Sequence, residues 1–119
     1  NLIYMVYVID DDANVRRSLE LLLRSYELKC KSFSSGKEFL EQFSENQQGV
    51  VILDLKMSDM DAKDFLQALR DDGNGIPVIG ITANIESNMR QYCRDLGVKS
   101  IMSKPVDSKA LMDIIRYYK

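Results

Sequence analysis

Five polar side chains, each at or just after the end of an apolar run, are the candidates for chemistry in this sequence. They are Asp10, Asp11, Asp54, Thr82 and Lys104. Three carboxylates held close together repel one another, which raises their pKa values unless a cation intervenes. Mg²⁺ suits such a cluster because it prefers oxygen ligands and keeps several of its waters. The sequence therefore favours a hard-cation site with one lysine beside it.

Asp54 is the candidate nucleophile of this group. It follows the apolar and largely β-branched run 50–53, which predicts a strand buried on both faces. Ligands of open parallel sheets bind outside the carboxyl ends of the strands. Because no serine or cysteine stands beside a base, the best nucleophile is a carboxylate, which can attack phosphorus and form an aspartyl phosphate. The cation and Lys104 would neutralise the transferring oxygens, and Thr82 would hydrogen-bond one of them.

Length and composition indicate one globular domain and exclude several classes of function. The 119 residues are 45% hydrophobic and 29% charged, so we treat residues 1–119 as a single folded unit. The net charge of −2 is too small to favour nucleic acid or an anionic membrane as a partner. The chain has no histidine, which removes His-based acid–base catalysis and most transition-metal sites. Cys30 and Cys93 lack metal-ligand spacing and are interpreted as reduced thiols of a cytoplasmic protein.

Strands and helices are predicted to alternate five times along the chain. Apolar runs predict strands over 4–9, 29–33, 50–54, 77–82 and 99–103, while helical periodicity predicts helices over 14–26, from 36, over 62–69, over 86–96 and over 108–117. We expect loops over 46–49, 56–61 and 71–75. Asp12 or Asn14 can cap the first helix, Ser108 can cap the last, and Gly97 ends the fourth. This order predicts an α/β fold of parallel βαβ units with right-handed crossovers.

Four short motifs, taken together and in order, resemble a known family. They are Val8-Ile9-Asp10-Asp11-Asp12, Leu53-Asp54-Leu55-Lys56-Met57 with Met60-Asp61, Gly80-Ile81-Thr82-Ala83, and Ser103-Lys104-Pro105. Their spacing along the whole chain resembles that of the receiver domain of two-component response regulators. The resemblance implies a flavodoxin-like (βα)5 doubly wound sandwich with a five-stranded parallel sheet of order 2-1-3-4-5.

The resemblance also implies roles at the cation site. Asp54 is similar to the phosphoryl acceptor, and Asp11 to a direct metal ligand. Asp10 corresponds to a partner that acts mainly through metal-bound water, and Lys56 to a residue whose backbone carbonyl binds the metal. The implied cofactor is Mg²⁺, for which Mn²⁺ or Ca²⁺ can substitute.

Further residues are similar to the family's switch. Thr82 resembles the switch hydroxyl, followed by Ala83, which is small enough to leave the phosphoryl group access. Lys104 resembles the family lysine, with Pro105 after it through a cis peptide bond. In this architecture Lys56 and Asn84 should flank the path of the hydrolytic water, so we expect them to tune the lifetime of the aspartyl phosphate.

Three positions depart from the family's usual pattern. The family often has Pro where this chain has Ser58 and Gly where it has Ala62, which changes the rigidity of the loop after Asp54. It usually has Tyr or Phe at the position of Ile101, where a ring turns inward as the threonine moves. An isoleucine cannot report that motion in the same way. Asp59 and Asp61 are interpreted as loop charges, with the alternative that Asp59 shapes access to Asp54.

The expected function is a switch phosphorylated by a sensor histidine kinase or a histidine phosphotransfer protein. Phosphorylation would move the face formed by the fourth helix, fifth strand and fifth helix, with an effector domain outside this chain and homodimerisation as further expectations. We expect no enzymatic turnover of an external substrate.

Two alternatives stay open: a pseudo-receiver that binds partners without phosphorylation, and a Mg²⁺-dependent phosphatase with an aspartyl-phosphate intermediate. The phosphatases of this kind usually have a second acid at the position of Lys56. An FMN site is disfavoured because acids follow the first strand.

Overall fold

Five strands and five helices alternate along the chain in a computed structural model that describes residues 4–43, 47–71, 73 and 75–119. In chain order they are β1 (Tyr4–Ile9), α1 (Ala13–Ser25), β2 (Cys30–Phe33), α2 (Gly36–Gln42), β3 (Gln48–Asp54), α3 (Ala62–Asp71), β4 (Val78–Thr82), α4 (Met89–Asp95), β5 (Ser100–Ser103) and α5 (Ser108–Tyr118). All neighbouring strands are parallel, and their order is β2-β1-β3-β4-β5. The expected flavodoxin-like sandwich is confirmed.

The central strand β3 fixes where the two layers of helices pack. Its side chains alternate between the faces of the sheet because a strand has a period of two residues. Val50 and Ile52 pack with the buried residues of α1 and α5. Val51 and Leu53 pack on the other face with buried residues of α2, α3 and α4. All four side chains are fully buried, so the strand holds its last residue in a rigid frame.

β3 begins earlier than the sequence indicated. The loop expected over 46–49 is a strand from Gln48 onward, paired with β1 through Tyr4 and Gln48; Asn46 lies outside the described residues. Gly49 suggested a loop, but it serves a close backbone approach. A Cβ there would lie 1.8 Å from the carbonyl oxygen of Met5, and the residue has φ of +155°. Glycine is therefore required by strand packing at this point.

Two helix ends also differ from the expectation. α4 is shorter than 86–96, because Asn88 at its N-cap makes no side-chain capping bond and residues 86–88 contribute nothing to the buried core. The last helix is capped by Asp107 rather than Ser108, through a bond from the Ala110 N–H at 2.8 Å.

The other described helix and strand ends agree with the expected bounds to within two residues; the largest difference is at α3, which continues to Asp71 where a turn was expected. Asp12 is the cap of α1 and accepts from the Asn14 N–H. Gly97 follows the end of α4 with φ of +91°, the left-handed geometry that ends helices. The turn expected over 71–75 includes Asp72 and Asn74, which lie outside the described residues. No helix within the described ranges has the length and apolar character needed to cross a membrane.

Candidate functional site

The five candidate residues lie at one edge of the sheet. Asp10 directly follows β1, and Asp54 ends the neighbouring strand β3. Thr82 ends β4, and Lys104 follows β5, whose Ser103 pairs with Thr82. Because all strands are parallel, these carboxyl ends converge, and the order β1-β3-β4-β5 sets the acids beside the threonine and the lysine.

Lys104 reaches back across the edge to the two buried acids. Its Nζ lies 2.8 Å from Asp10 Oδ2 and 3.6 Å from Asp54 Oδ2. The other oxygen of Asp10, Oδ1, accepts the backbone N–H of Asp12 at 2.9 Å. Asp10 has no exposed surface, so both of its oxygens depend on partners within the protein. The lysine is thus the cation that makes a buried Asp10 tolerable.

Asp54 is less completely neutralised than Asp10. Its Oδ1 accepts the Lys56 N–H at 3.1 Å. Burial raises the pKa of the Asp54 carboxyl; the Lys56 N–H and the charge of Lys104 oppose the rise, and the charges of Asp10 and Asp11 add to it. Burial by itself would lower the pKa of Lys104, but its contacts with Asp10 and Asp54 outweigh that effect and raise it. Lys104 therefore stays protonated, whereas the ionised form of Asp54 is disfavoured by burial and by its acidic neighbours.

The acids fit a hard divalent cation. Asp10, Asp11 and Asp54 each offer a carboxylate oxygen, and these atoms all lie within 4.8 Å of one another. One ammonium cannot balance three carboxylates, and Asp10 is already paired with it. Asp11 is exposed, and burial raises the pKa of the Asp54 carboxyl. Neither carboxylate is fully compensated by Lys104, so these two are the acids best suited to contact a divalent cation directly. The role of the Lys56 carbonyl stays a prediction.

Thr82 is held loosely by the loop that follows it. Its side chain is fully buried, and its Oγ1 lies 3.4 Å from the carbonyl oxygen of Asn84 and 3.5 Å from the Asn84 amide nitrogen. Both contacts are at the long limit of hydrogen bonding. Ala83 and Asn84 are exposed beside it. The hydroxyl can therefore exchange these contacts for a better acceptor at little cost.

The two remaining positions of interest lie in β5 and directly after it. Ile101 is half-buried, pairs with Gly80 of β4 and packs against the α3–α4 side of the core. The Lys104–Pro105 peptide bond is cis, which agrees with the resemblance. The isoleucine fills an aliphatic position within the sheet and offers no ring to turn.

Sequence reasoning missed three contacts that support the site. Arg16 of α1 donates from Nη1 to the backbone carbonyl of Asp10 at 2.6 Å. Glu86 pairs with Lys56 across the site mouth, with 3.4 Å between Oε1 and Nζ. Asp59 accepts two backbone N–H groups at the start of α2. Each contact joins different elements, so no local sequence pattern could have revealed it.

Sequence comparison identifies relatives along almost the whole chain. A family model described as "Response regulator receiver domain" matches residues 6–116. The chain is 35% identical over 114 residues to the sensor histidine kinase RcsC of Salmonella typhi, covering 96% of this chain and 12% of that protein. It is 33% identical over 110 residues to the transcriptional regulatory protein TdiR of Thauera aromatica, covering 92% of this chain and 48% of that protein. The chain thus spans about an eighth of the kinase and about half of the regulator.

Solved structures give the same result. The response regulator StyR superposes with a TM-score of 0.89 at 32% identity, over 98% of this chain and 59% of that one. A structure of FixJ-N gives 0.86 at 28% identity, over 98% and 93% of the two chains. The Vibrio cholerae chemotaxis protein CheY4 gives 0.86 at 18% identity, over 98% and 99%; at that identity it supports the fold alone.

Replacing Asp54 by a neutral isostere should separate the electrostatic cost of the acid from its role as a ligand. We expect Asp54→Asn to melt at a higher temperature than wild type in EDTA, because it removes a buried charge that Asp10 and Asp11 repel. Mg²⁺ at ~100 times its Kd should then stabilise wild type by about 2.7 kcal/mol and the variant by much less. Thermal melts of both proteins, with and without Mg²⁺, measure this. Equal Mg²⁺ stabilisation of the two would remove Asp54 from the ligand set.

Proposed function

This chain belongs to the response regulator receiver domain family of two-component systems, and from that premise we propose that it is a phosphorylation switch with Asp54 as acceptor. One observation carries the proposal. Lys104 Nζ contacts the carboxylates of both Asp10 and Asp54. Carboxylate oxygens of these two residues and of Asp11 all lie within 4.8 Å of one another. A nucleophilic acid, a fixed ammonium and a cation cradle are the parts that phosphoryl transfer needs.

The proposed step moves a phosphoryl group from a histidine to Asp54. A carboxylate oxygen of Asp54 attacks phosphorus, an O–P bond forms, and the N–P bond of the phosphohistidine breaks, leaving the donor imidazole with the electron pair. Lys104 exchanges its 3.6 Å contact with Asp54 for a phosphoryl oxygen. Asp11, Asp54 and the Lys56 carbonyl would hold the Mg²⁺, with Asp10 acting through water, and the bound ion would neutralise charge on the transferring group.

Phosphorylation then acts on the loop after β4. The modification adds about −1.5 to −2 charges and strong acceptor oxygens. Thr82, whose present contacts are at 3.4 and 3.5 Å, donates its hydroxyl to a phosphoryl oxygen and draws the β4–α4 loop with it. The α4–β5–α5 face shifts between pre-existing conformations. Because position 101 holds an isoleucine, the shift proceeds by displacement of backbone loops without a turning ring.

The two alternatives make different demands on the site. A phosphatase acting on external phosphomonoesters usually has a second acid two residues after its nucleophile, and this position is Lys56, an exposed residue paired with Glu86. A pseudo-receiver would need no acceptor cluster at all. The assembled acids, Thr82 and Lys104 favour a signalling switch that assists its own phosphorylation and dephosphorylation.

The partners follow from the same chemistry. The relatives include a sensor histidine kinase and response regulators, so we propose a histidine kinase or a histidine phosphotransfer protein as donor, met in the cytoplasm. The output would come from an effector domain beyond this segment or from homodimerisation after phosphorylation. We propose no direct contact with nucleic acid or membrane by this domain.

Acetyl phosphate should phosphorylate the chain once and only with a divalent cation. Intact mass spectrometry after incubation with Mg²⁺ should show a gain of one phosphoryl group, with Mn²⁺ replacing Mg²⁺, and no gain in EDTA, because the transferring oxygens are then not neutralised. Asp54→Asn is the matched control and should gain nothing.

Three results would count against this assignment. A phosphoryl gain in Asp54→Asn equal to that of wild type would place the acceptor elsewhere. No gain in wild type, with acetyl phosphate or with a phosphorylated histidine phosphotransfer protein, would favour the pseudo-receiver. Repeated turnover of phosphomonoesters would favour the phosphatase.

Lys56 and Asn84 should set the lifetime of the phosphorylated state. The Lys56–Glu86 pair joins the loops after β3 and β4, and Asn84 borders Thr82, so removing both side chains opens the path to water. We expect Lys56→Ala with Asn84→Ala to shorten the half-life about fivefold, equivalent to ~1 kcal/mol of barrier. Lys63→Ala, which removes an exposed lysine of α3, is the control. An unchanged half-life in the double variant would refute the assignment.

A further inference from the structure

Asp59 fastens the loop after the acceptor to a different part of the fold. Its Oδ1 accepts the N–H of Gly36 at 3.3 Å, and its Oδ2 accepts the N–H of Lys37 at 3.0 Å. These are the first two residues of α2. The next N–H, of Glu38, donates to the Oγ of Ser35 at 3.1 Å. The first backbone N–H groups of a helix have no partner within the helix. In α2 these groups donate to the neighbouring cap Ser35 and to Asp59, which is more than 20 residues away in the sequence.

Packing reinforces this attachment. Gly36 is buried, and a Cβ built on it would lie 3.2 Å from Met57 Cε, 3.1 Å from Met60 Sδ and 2.9 Å from Phe65 Cδ1. The methionines on either side of Asp59 therefore rest directly on the backbone of α2. A residue larger than glycine would push the loop away from the helix.

The same loop is fixed at both ends. Near the acceptor, the Lys56 N–H donates to Asp54 Oδ1 at 3.1 Å. At the other end, Oδ1 of Asp61 accepts the Lys63 N–H at 2.9 Å. The backbone carbonyl of Asp61 accepts the Phe65 N–H at 3.0 Å, and this bond begins α3. Asp59 holds the stretch between these two points. Ser58 does not restrict the backbone as a proline would, so side-chain contacts such as those of Asp59 contribute to the rigidity of this loop.

We propose that Asp59 is a positioning residue, which holds the loop on the N-terminus of α2 so that the backbone at Lys56 is set for the divalent cation. The inference rests on the proposed function, since it concerns the same cation site. Mg²⁺ demands near-ideal octahedral geometry, so a ligand carbonyl on a loose loop loses affinity. Thermodynamic linkage makes the connection reciprocal: cation binding must stabilise the contact of Asp59 with the Gly36 and Lys37 amides, and the resonances of these amides report that change.

Mg²⁺ titrations of four proteins test the proposal. Isothermal titration calorimetry gives the affinity, and two-dimensional ¹H–¹⁵N NMR follows the amides of Gly36 and Lys37. Groups that orient metal ligands are worth about 10- to 100-fold in affinity. We expect about a tenfold weaker Kd for Asp59→Ala. Asp59→Asn keeps one of the two acceptor oxygens, so its Kd should lie between those of wild type and Asp59→Ala.

Ser35→Ala is the matched control. It removes the other cap of α2, the bond to the Glu38 N–H, without touching the loop after Asp54. We expect it to lower the melting temperature about as much as Asp59→Ala and to leave the Mg²⁺ affinity unchanged. In wild type, the Gly36 and Lys37 resonances should move with the same Kd that calorimetry reports.

The outcomes separate this inference from the proposed function. If wild type binds no Mg²⁺, the cation site fails and the inference fails with it. If wild type binds and Asp59→Ala binds equally well, the positioning role is wrong while the proposed function stands. An equal loss in Ser35→Ala would trace the effect to α2 stability, and an equal loss in Asp59→Asn would trace it to charge; either overturns the role. Should Asp59→Ala not fold, unmoved Gly36 and Lys37 resonances in wild type would overturn it.

Discussion

An ammonium group held between two buried carboxylates is the interaction on which the functional edge depends. Lys104 Nζ contacts Asp10 at 2.8 Å and Asp54 at 3.6 Å, and its side chain is only 21% exposed. Removing Lys104 would leave two buried carboxylates without a compensating cation, which is strongly destabilising. The lysine can reach both acids only because β5, β4, β3 and β1 are adjacent in that order. The strand order of the sheet therefore determines which charged groups meet at the site.

The unequal sharing of the lysine explains how the site can be stable and reactive. Asp10 takes the shorter contact and also accepts a backbone N–H, so its charge is well compensated. Asp54 takes the longer contact and has a raised pKa from burial and from its acidic neighbours. A divalent cation bound beside Asp54 would relieve this repulsion, and a phosphoryl group on Asp54 would offer the ammonium of Lys104 new anionic oxygens to contact. We propose that relief of the unfavourable electrostatic energy of ionised Asp54 drives the proposed switch.

The elements that bury apolar residues were predictable from sequence, and contacts between elements were not. The run ending at Asp54 and the family motifs indicated the fold and the edge on which the acids meet. Neighbouring residues competed for the cap of α5: Asp107 caps the helix rather than Ser108, because both residues have the chemistry of a cap. Gly49 suggested a loop, yet it lies within β3 to let the backbone of Met5 approach. Asp59 looked like a loop charge, and only the folded chain brings it to α2.

The central claim is that Asp54 receives the phosphoryl group and Lys104 then binds it. A crystal structure with Mg²⁺ and beryllofluoride, which imitates an acyl phosphate, tests this most directly. We predict beryllium bonded to an Asp54 carboxylate oxygen, with Lys104 Nζ and Thr82 Oγ1 in contact with fluoride and Asp11 on the metal. Beryllofluoride bound to another residue, or Lys104 still paired with both Asp10 and Asp54 and away from the fluoride, would contradict the account.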